Sequence, residues 1–343
     1  MTQLTRDDLG WSQFFFAQLD AEDLNSQIPA RIANVHRDRV VGLSEQGSLE
    51  LTLDPGITTA AVAVGDWVLT IPKQHRVTRV LDRKTELSRG TEFHSGEKQL
   101  IAANIDTLFI TTSCNDDFNV ARLERYLALA HDALITPVIL ITKADECDDP
   151  DRYIGQASAL GRDLMVVAVN AKSDDMAAVL SPWCGPGETV ALTGSSGVGK
   201  TTIANKLTGG NALTQDIRQD DARGRHTTTG RSLHAIPTGG WLIDTPGMRG
   251  LGLAEVAYGI DATFPEISEL ASQCKFRDCA HESEPGCKVQ AAIQAGEIDP
   301  ERLRRFNKLK RENTQATETI AQARDRSKKL SKRIKSATKK KKR

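Results

Sequence analysis

The stretch "LTGSSGVGKTT", residues 192–202, decides how the central part of the chain folds. It matches the pattern G-x-x-x-x-G-K-[S/T], it continues the apolar run "TVA", and it opens a helix-forming segment. Glycines let backbone N–H groups converge on phosphate oxygens, and the start of a helix adds positive potential. We therefore predict a phosphate-binding loop in which Lys200 reaches the β- and γ-phosphates and Thr201 binds Mg²⁺. The expected nucleotide contacts are Gly194, Ser195, Ser196, Gly197, Val198, Gly199, Lys200, Thr201 and Thr202.

Apolar runs that alternate with helical segments surround this loop. The strand candidates are "IDTLFITTS" (105–113), "PVILITKAD" (137–145), "LMVVAVNAK" (164–172), "ETVALTG" (188–194) and "GWLIDTPG" (240–247), and the helix candidates are "ARLERYLALAHDAL" (121–134) and "KTTIANKLTG" (200–209). Such alternation predicts an α/β fold with a parallel sheet covered on both faces. A binding site is then expected at the carboxyl ends of the strands.

Two short motifs at strand ends indicate guanine rather than adenine. A carboxylate can accept hydrogen bonds from both N1–H and the 2-amino group of guanine, and Asp145 ends the run that contains Thr142, Lys143 and Ala144. The second motif, which consists of Asn170, Ala171 and Lys172, offers the Ala171 amide to guanine O6. Thr142 occupies a position at which GTPases generally have asparagine, and because threonine lacks the amide that contacts guanine N7, we expect weaker nucleotide binding.

The motif "DTPG" begins 44 residues after Lys200 and also follows an apolar run. Asp244 is expected to hold Mg²⁺, and the Gly247 amide is expected to approach the γ-phosphate. Met248 follows, at a position where many GTPases have a glutamine that orients water, so we expect slow hydrolysis without a partner.

The guanine motifs precede the phosphate loop, although GTP-binding chains usually have the reverse order. Moving the chain break changes the order of the loops along the sequence without moving them in space, so we predict a circularly permuted P-loop GTPase domain.

A spaced set of thiols and one imidazole lies downstream. Cys274, Cys279, His281 and Cys287 have the spacing Cys-x4-Cys-x-His-x5-Cys. Three thiolates and an imidazole complete a tetrahedral Zn²⁺ site that leaves no position for water, which predicts one structural zinc ion.

Residues 28–88 contain several short alternating runs, which predict a small β-barrel of the OB or SH3 type. Formal net charge is zero, but residues 324–343 carry +11 and residues 1–323 carry −11. This asymmetry favours a polyanion such as nucleic acid as the partner of the tail, although a basic tail can also be a solvated segment without one. The N-terminus lacks the order of a secretory signal and no apolar run reaches about 20 residues, so we expect a cytoplasmic protein.

The order of TKAD, NAK, GSSGVGKTT, GRHTTT, DTPG and the Cys/His spacing resembles the RsgA family of ribosome small-subunit-dependent GTPases. The resemblance implies an N-terminal OB-like barrel, a permuted G domain and a C-terminal zinc-binding α-helical domain. We place an extension at 1–27, the barrel at 28–92, the G domain at 93–258, the zinc-binding domain at 259–323 and a basic tail at 324–343.

The resemblance also implies GTP hydrolysis that the small (30S) ribosomal subunit stimulates late in its maturation. The expected partners are the subunit and its rRNA, bound through barrel, zinc-binding domain and tail by a monomer. In "GRHTTTG", Thr228 is expected to contact nucleotide, and His226 is either the catalytic residue that positions water or an ordinary surface histidine. Two other functions stay open, namely an RNA-binding scaffold that binds GTP with little turnover and a permuted GTPase with a different RNA or protein partner.

Overall fold

The computed structural model describes residues 4–90, 98–210, 231–244 and 255–317. Its strands are β1 Ile28–Val35, β2 Val40–Ser44, β3 Gly47–Leu53, β4 Trp67–Ile71, β5 Arg76–Val80, β6 Glu86–Gly90, β7 Lys98–Ala103, β8 Thr107–Ser113, β9 Thr136–Thr142, β10 Met165–Val169, β11 Thr189–Gly194, β12 Ser232–Ala235 and β13 Trp241–Asp244. Its helices are α1 Gln13–Phe16, α2 Ala21–Ser26, α3 Val120–Asp132, α4 Pro150–Ser158, α5 Met176–Leu180, α6 Lys200–Leu207, α7 Ala257–Thr263, α8 Pro265–Ser272, α9 Lys288–Gln294 and α10 Pro300–Thr317.

The strand that precedes the phosphate loop lies inside a doubly wound sheet. The order there is β10-β9-β8-β11-β13-β12, in which all neighbours are parallel except β12 and β13. A P-loop domain without permutation would begin at β11. If β11, β12 and β13 are numbered 1 to 3 and β8, β9 and β10 are numbered 4 to 6, the spatial order is 6-5-4-1-3-2. The chain thus begins this sheet at its fourth strand, which confirms the predicted permuted P-loop fold.

Burial on both faces explains why these strands read as continuous apolar runs. All seven residues of β8 are buried, and so are the last five of β9. On one face, Phe109, Val138 and Val190 pack with Ile203 and Leu207 of α6. The register pairs Thr111 with Gly194 and Ser113 with Thr142, so the carboxyl ends of β8, β9 and β11 lie side by side.

The first five strands form the predicted barrel. They run in the order β1-β2-β3-β5-β4, and β4 returns to pair with β1, so the sheet closes. Ile32, Val40, Leu51, Val68 and Val77 are among the residues that fill its interior. A bridge between Asn34 and Ser232 joins β1 to β12, so the barrel and the doubly wound sheet belong to one compact unit.

The N-terminal segment packs against the outer surface of the barrel, a contact that the sequence pattern did not indicate. Leu9 and Phe15 are almost fully buried, and the Trp11 and Phe15 rings lie 4.7 and 5.8 Å from Trp67. Arg31, which is 2% exposed, donates hydrogen bonds to the Leu9 carbonyl at 2.7 Å and to the Thr189 hydroxyl at 2.6 Å. The outer face of β4 is therefore buried too, since Val68 points into the barrel while Trp67 is covered by this segment.

A second unit comprises residues 89–99 and 251–343. In its described part, Phe264 and Phe306 pack edge to face at 5.5 Å, and the Arg302 guanidinium lies 4.7 Å from the Phe264 ring. Helix α10 buries Leu303, Phe306 and Leu309, and most of its remaining surface is exposed.

Candidate nucleotide-binding site and metal cluster

The phosphate loop connects β11 to α6 through three glycines with positive φ. These are Gly194 (φ 139°), Gly197 (φ 80°) and Gly199 (φ 98°). Residues other than glycine rarely adopt positive φ angles. A Cβ atom on Gly194 would lie 2.1 Å from the Thr111 carbonyl oxygen of β8. Glycine is therefore required at position 194 for close strand packing as well as for the turn.

Lys200 begins helix α6 and turns back over the loop. Its ammonium group donates a hydrogen bond to the Gly194 carbonyl at 2.9 Å and another to the Ser195 carbonyl. Thr201 and Thr202 are exposed on the first turn of the same helix. A cation and exposed hydroxyls at a helix N-terminus are suited to phosphate and its bound cation.

Thr142 joins the guanine motif to the phosphate loop. It is fully buried, and its hydroxyl lies 2.7 Å from the Val198 carbonyl and 3.0 Å from the Thr112 carbonyl. A Cβ atom on Gly199 would lie 3.6 Å from the Ala171 methyl group and 3.7 Å from the Thr142 methyl group. The structure thus brings the loops after β9, β10 and β11 into contact with one another.

Asp145 and Asn170 come together at the opening of this site. The Asn170 side-chain amide donates to a carboxylate oxygen of Asp145 at 2.8 Å, and its own oxygen accepts from the Lys172 backbone N–H at 2.8 Å. Lys143 has a positive φ of 58°, which turns the chain sharply after β9 so that the turn Ala144–Glu146 follows at once. The Lys172 ammonium lies 3.1 Å from the Glu146 carboxylate, and both side chains are exposed. The carboxylate expected to read guanine is therefore held in place by the neighbouring motif.

Asp117 is a site neighbour that the sequence analysis missed. It accepts a hydrogen bond from the Ser195 hydroxyl in the phosphate loop, and its two oxygens lie 2.9 and 3.0 Å from the Arg122 guanidinium. Burial opposes the charged form, but these hydrogen bonds and the Arg122 charge lower the pKa of Asp117 on balance. No motif marks this residue, since its role depends on the packing of β8 beside β11.

Asp244 is the last residue of β13, and its side chain is partly exposed. The parallel pairing of Ala191 with Ile243 places Asp244 level with Leu192, two residues before Gly194, the first residue of the phosphate loop. The two predicted Mg²⁺ ligands are Thr201, in the first turn of α6, and Asp244, at the end of β13. Both therefore lie at the carboxyl ends of the parallel strands β11 and β13. His226, Thr228 and Gly247 lie outside the described residues.

The predicted metal ligands form a cluster in the second unit. The ligand atoms of Cys274, Cys279, His281 and Cys287 all lie within 4.8 Å of one another. The sulfurs of Cys274 and Cys287 are 3.9 Å apart, and His281 Nδ1 lies 3.7 and 3.5 Å from them. Tetrahedral Zn²⁺ with Zn–S of about 2.3 Å and Zn–N of about 2.0–2.1 Å separates two sulfurs by roughly 3.8 Å and sulfur from nitrogen by roughly 3.6 Å. These spacings fit such an ion.

The surroundings of the cluster also suit metal binding. Backbone N–H groups of Lys288 and Gln290 donate to the sulfurs of Cys274 and Cys287, both at 3.4 Å. Burial lowers the pKa of His281, which keeps the imidazole neutral and able to bind a cation. The Gln290 side chain fixes the ligand loop by donating to the His281 carbonyl at 2.5 Å. The cluster can therefore hold a metal ion.

Comparison with known proteins decides the family. A family model described as RsgA GTPase matches residues 80–254, and one described as 50S ribosome-binding GTPase matches residues 189–329. The protein named small ribosomal subunit biogenesis GTPase RsgA of Mesorhizobium japonicum is 59% identical over 314 residues, which cover 90% of each chain. The chain belongs to the RsgA GTPase family.

Further relatives agree with this membership. The Vibrio vulnificus protein named small ribosomal subunit biogenesis GTPase RsgA 2 is 46% identical over 96% of this chain and 93% of its own length. The crystal structure of YjeQ from Thermotoga maritima has a TM-score of 0.62 at 23% identity and covers 82% of this chain and 97% of that one. The crystal structure of YloQ, titled a circularly permuted GTPase, has a TM-score of 0.58 at 24% identity and covers 82% and 92%.

Membership in the RsgA GTPase family confirms the predicted enzyme class and the resemblance seen in the sequence. As an RsgA-family GTPase, the chain uses Mg²⁺ together with GTP. No helix in the described part of the chain is long and apolar enough to span a membrane.

Proposed function

We propose that this RsgA-family GTPase acts in the biogenesis of the small ribosomal subunit, late in its maturation, as a cytoplasmic monomer. The observation that carries the proposal is 59% identity, over 90% of both chains, to a protein named for that process. An alignment over 90% of both chains is too long to be confined to the G domain, so the similarity extends beyond the nucleotide-binding part of the chain.

We propose that different loops of the site bind different parts of the nucleotide. Asp145, held by Asn170, reads guanine, and residues 194–202 bind the phosphates. Thr201 and Asp244 would hold Mg²⁺, which supplies positive charge to the β- and γ-phosphates. Gly247 would contact the γ-phosphate and Thr228 the nucleotide.

Hydrolysis without a partner is proposed to be slow. Met248 has no group that can orient water, and its position follows the DTPG motif directly. His226 is our candidate for this role once the subunit binds. A rate that depends on the subunit would couple GTP hydrolysis to the state of the particle.

Exposed basic loops of the barrel support a contact with rRNA. The loop between β1 and β2 carries His36, Arg37 and Arg39, and the loop between β4 and β5 carries Lys73 and His75, all exposed. These are the two loops that commonly bind oligonucleotides in OB folds. We propose that the Cys/His domain, stabilised by Zn²⁺, and the basic tail extend this contact.

The test is phosphate release from GTP with and without purified small subunits. We expect the subunits to raise the rate by at least about tenfold, in line with GTPases whose partner completes the site. Large subunits form a necessary second arm, because residues 189–329 match a model described as 50S ribosome-binding GTPase. Stimulation by large subunits alone would support the different-partner alternative, and binding to small subunits without stimulation would support the scaffold alternative.

A further inference from the structure

The loop between β8 and α3 lies beside the phosphate loop, and several contacts fix its backbone. The Ser113 hydroxyl donates a hydrogen bond to the Asn115 side-chain oxygen at 2.8 Å, and the same oxygen accepts one from the Asp117 backbone N–H at 3.0 Å. The Asn115 carbonyl accepts a hydrogen bond from the Phe118 N–H at 2.9 Å. The Phe118 ring packs edge to face on Tyr153 of α4, with 5.1 Å between the ring centres. The backbone is therefore held on both sides of Asp117.

The Asp117 carboxylate joins this loop to the phosphate loop. It accepts a hydrogen bond from the Ser195 hydroxyl, and its two oxygens lie 2.9 and 3.0 Å from the Arg122 guanidinium on α3. The Ser195 carbonyl in turn accepts a hydrogen bond from the Lys200 ammonium, which also donates to the Gly194 carbonyl at 2.9 Å. Asp117 thus holds the residue whose carbonyl holds the Lys200 ammonium.

A carboxylate beside a phosphate-binding loop opposes the binding of an anion, because like charges repel. The ion pair with Arg122 offsets part of the Asp117 charge, but these side chains are 35% and 33% exposed, so solvent screens the pair and it contributes little to the stability of the fold. The charge does strengthen the hydrogen bond from the Ser195 hydroxyl, since bonds to ionised acceptors are stronger than bonds between neutral groups. Asp117 is therefore better suited to holding the phosphate loop than to stabilising the fold.

We propose that Asp117 is a positioning residue for nucleotide binding, which holds Ser195 so that the first half of the phosphate loop keeps its binding shape. In the second half of the loop, the Val198 carbonyl lies 2.7 Å from the hydroxyl of Thr142 at the end of β9. Both halves of the loop are thus fastened to neighbouring segments of the sheet. A loop that is already in its binding shape loses less conformational entropy when it binds. The inference rests on the proposed function, in which residues 194–202 bind the phosphates.

The experiment is a double-mutant cycle on the full chain. Fluorescent GDP is titrated into the parent protein, Asp117→Ala, Ser195→Ala and the double variant, and circular dichroism verifies that each variant folds. Charge repulsion alone predicts that loss of the carboxylate strengthens GDP binding, whereas the positioning role predicts weaker binding. Asp117→Asn keeps an oxygen that can accept from the Ser195 hydroxyl. Asp116→Ala is the matched control, because it removes the adjacent carboxylate, which is exposed.

We expect Asp117→Ala and Ser195→Ala each to weaken GDP binding about tenfold, because each removes the same hydrogen bond to a charged group. The double variant should also lose about tenfold, whereas independent effects would multiply to about a hundredfold. Asp117→Asn should recover most of the affinity that alanine loses, and Asp116→Ala should not weaken binding.

Unchanged or tighter GDP binding by Asp117→Ala or by Ser195→Ala overturns the proposal, and either variant suffices if the other fails to fold. It is also overturned by losses that multiply in the double variant, by a tenfold loss in Asp116→Ala, or by asparagine at position 117 that binds no better than alanine. Lys200→Ala is a separate arm, since it removes the ammonium proposed to bind the phosphates. Undiminished GDP binding by Lys200→Ala would contradict the phosphate contacts themselves, whereas a loss there without one in Asp117→Ala would contradict only the positioning role.

Discussion

At the scale of single residues, Thr142 shows how the guanine site differs from that of most GTPases. Threonine lacks an amide for guanine N7, and the sequence therefore predicts weaker binding. In the structure its hydroxyl lies within hydrogen-bonding distance of carbonyls on two other segments, Val198 in the phosphate loop and Thr112 in β8. Thr142 thus contributes to the site by fixing the spacing between the base-reading turn and the phosphate loop.

This role predicts the effect of Thr142→Val, which keeps the shape and removes the hydroxyl. The hydroxyl has a single proton to donate, so one of the two buried carbonyls beside it is left without a donor, and the free energy of unfolding should fall by about 1–3 kcal/mol. GDP affinity should fall roughly tenfold, which corresponds to 1.4 kcal/mol. Urea unfolding and a fluorescent GDP titration measure the two effects. Thr136→Val is the matched control, because Thr136 is exposed at the start of the same strand. Equal effects of the two substitutions would argue against this role of the Thr142 hydroxyl.

Asp145 carries the choice of base, and Asp145→Asn tests it. The amide can donate to the extra carbonyl at position 2 of xanthine but cannot accept both guanine donors, so GTP affinity should fall by more than tenfold while XTP affinity rises. Competition against fluorescent GDP measures both. Asp148→Asn removes an exposed carboxylate three residues further on and should change neither value. Unaltered preference for GTP in Asp145→Asn would rule out this residue as the base reader.

At the scale of elements, the strands that could be predicted from the sequence are those that are buried on both faces. Strands β8, β9 and β11 could be predicted because burial on both faces demands apolar runs. The Cys/His cluster could be predicted because metal ligands need particular side chains at close spacing. The N-terminal segment could not, since "WSQFF" has no periodic pattern and its contacts lie with Trp67, distant in sequence. Asp117 was missed for the same reason.

The N-terminal segment should stabilise the unit that contains the barrel. Phe15 is 1% exposed and packs beside Trp67, whereas the adjacent Phe14 is 41% exposed. We expect Phe15→Ala to lower the free energy of unfolding by about 3–5 kcal/mol, the usual cost of emptying an aromatic site in a core. Phe14→Ala supplies the matched control and should cost far less. Chemical unfolding followed by tryptophan fluorescence makes the comparison, and similar losses in both variants would contradict the packing.

The Cys/His cluster should bind one zinc ion per chain and need it for local order. Elemental analysis should find about one equivalent in the parent protein and little in Cys279→Ser, because three ligands hold Zn²⁺ less tightly than four. Removal of the ion by a chelator should reduce helical circular dichroism, since Cys287 also caps α9. Cys184→Ser removes a core thiol and should leave the zinc content unchanged. A parent protein that purifies free of metal and keeps its helices under chelation would refute this prediction.

At the scale of the whole molecule, charge is distributed in a way that the net value conceals. The last 20 residues carry 12 Lys or Arg and one Asp, and the remainder of the chain is acidic by the same amount. Sequence alone identifies this asymmetry, but it cannot name the partner, because phosphate backbones of all nucleic acids attract such a segment through the same release of counterions. The identity of the partner therefore rests on the relatives.

Removal of residues 324–343 should separate binding from nucleotide chemistry. We expect weaker binding to small subunits and a flatter dependence of log affinity on log salt, because fewer counterions are released. Basal GTP hydrolysis should stay unchanged, since none of the proposed nucleotide contacts lies in the tail. A tail of equal length in which the basic residues are replaced by glutamine is the control, and it should behave as the deletion does. Sedimentation with purified subunits at several salt concentrations measures the binding affinity and its salt dependence. An unchanged salt slope in the deletion would show that the tail makes no phosphate contacts. Full binding by the chain with the glutamine tail would show that the subunit does not recognise the positive charge of the tail.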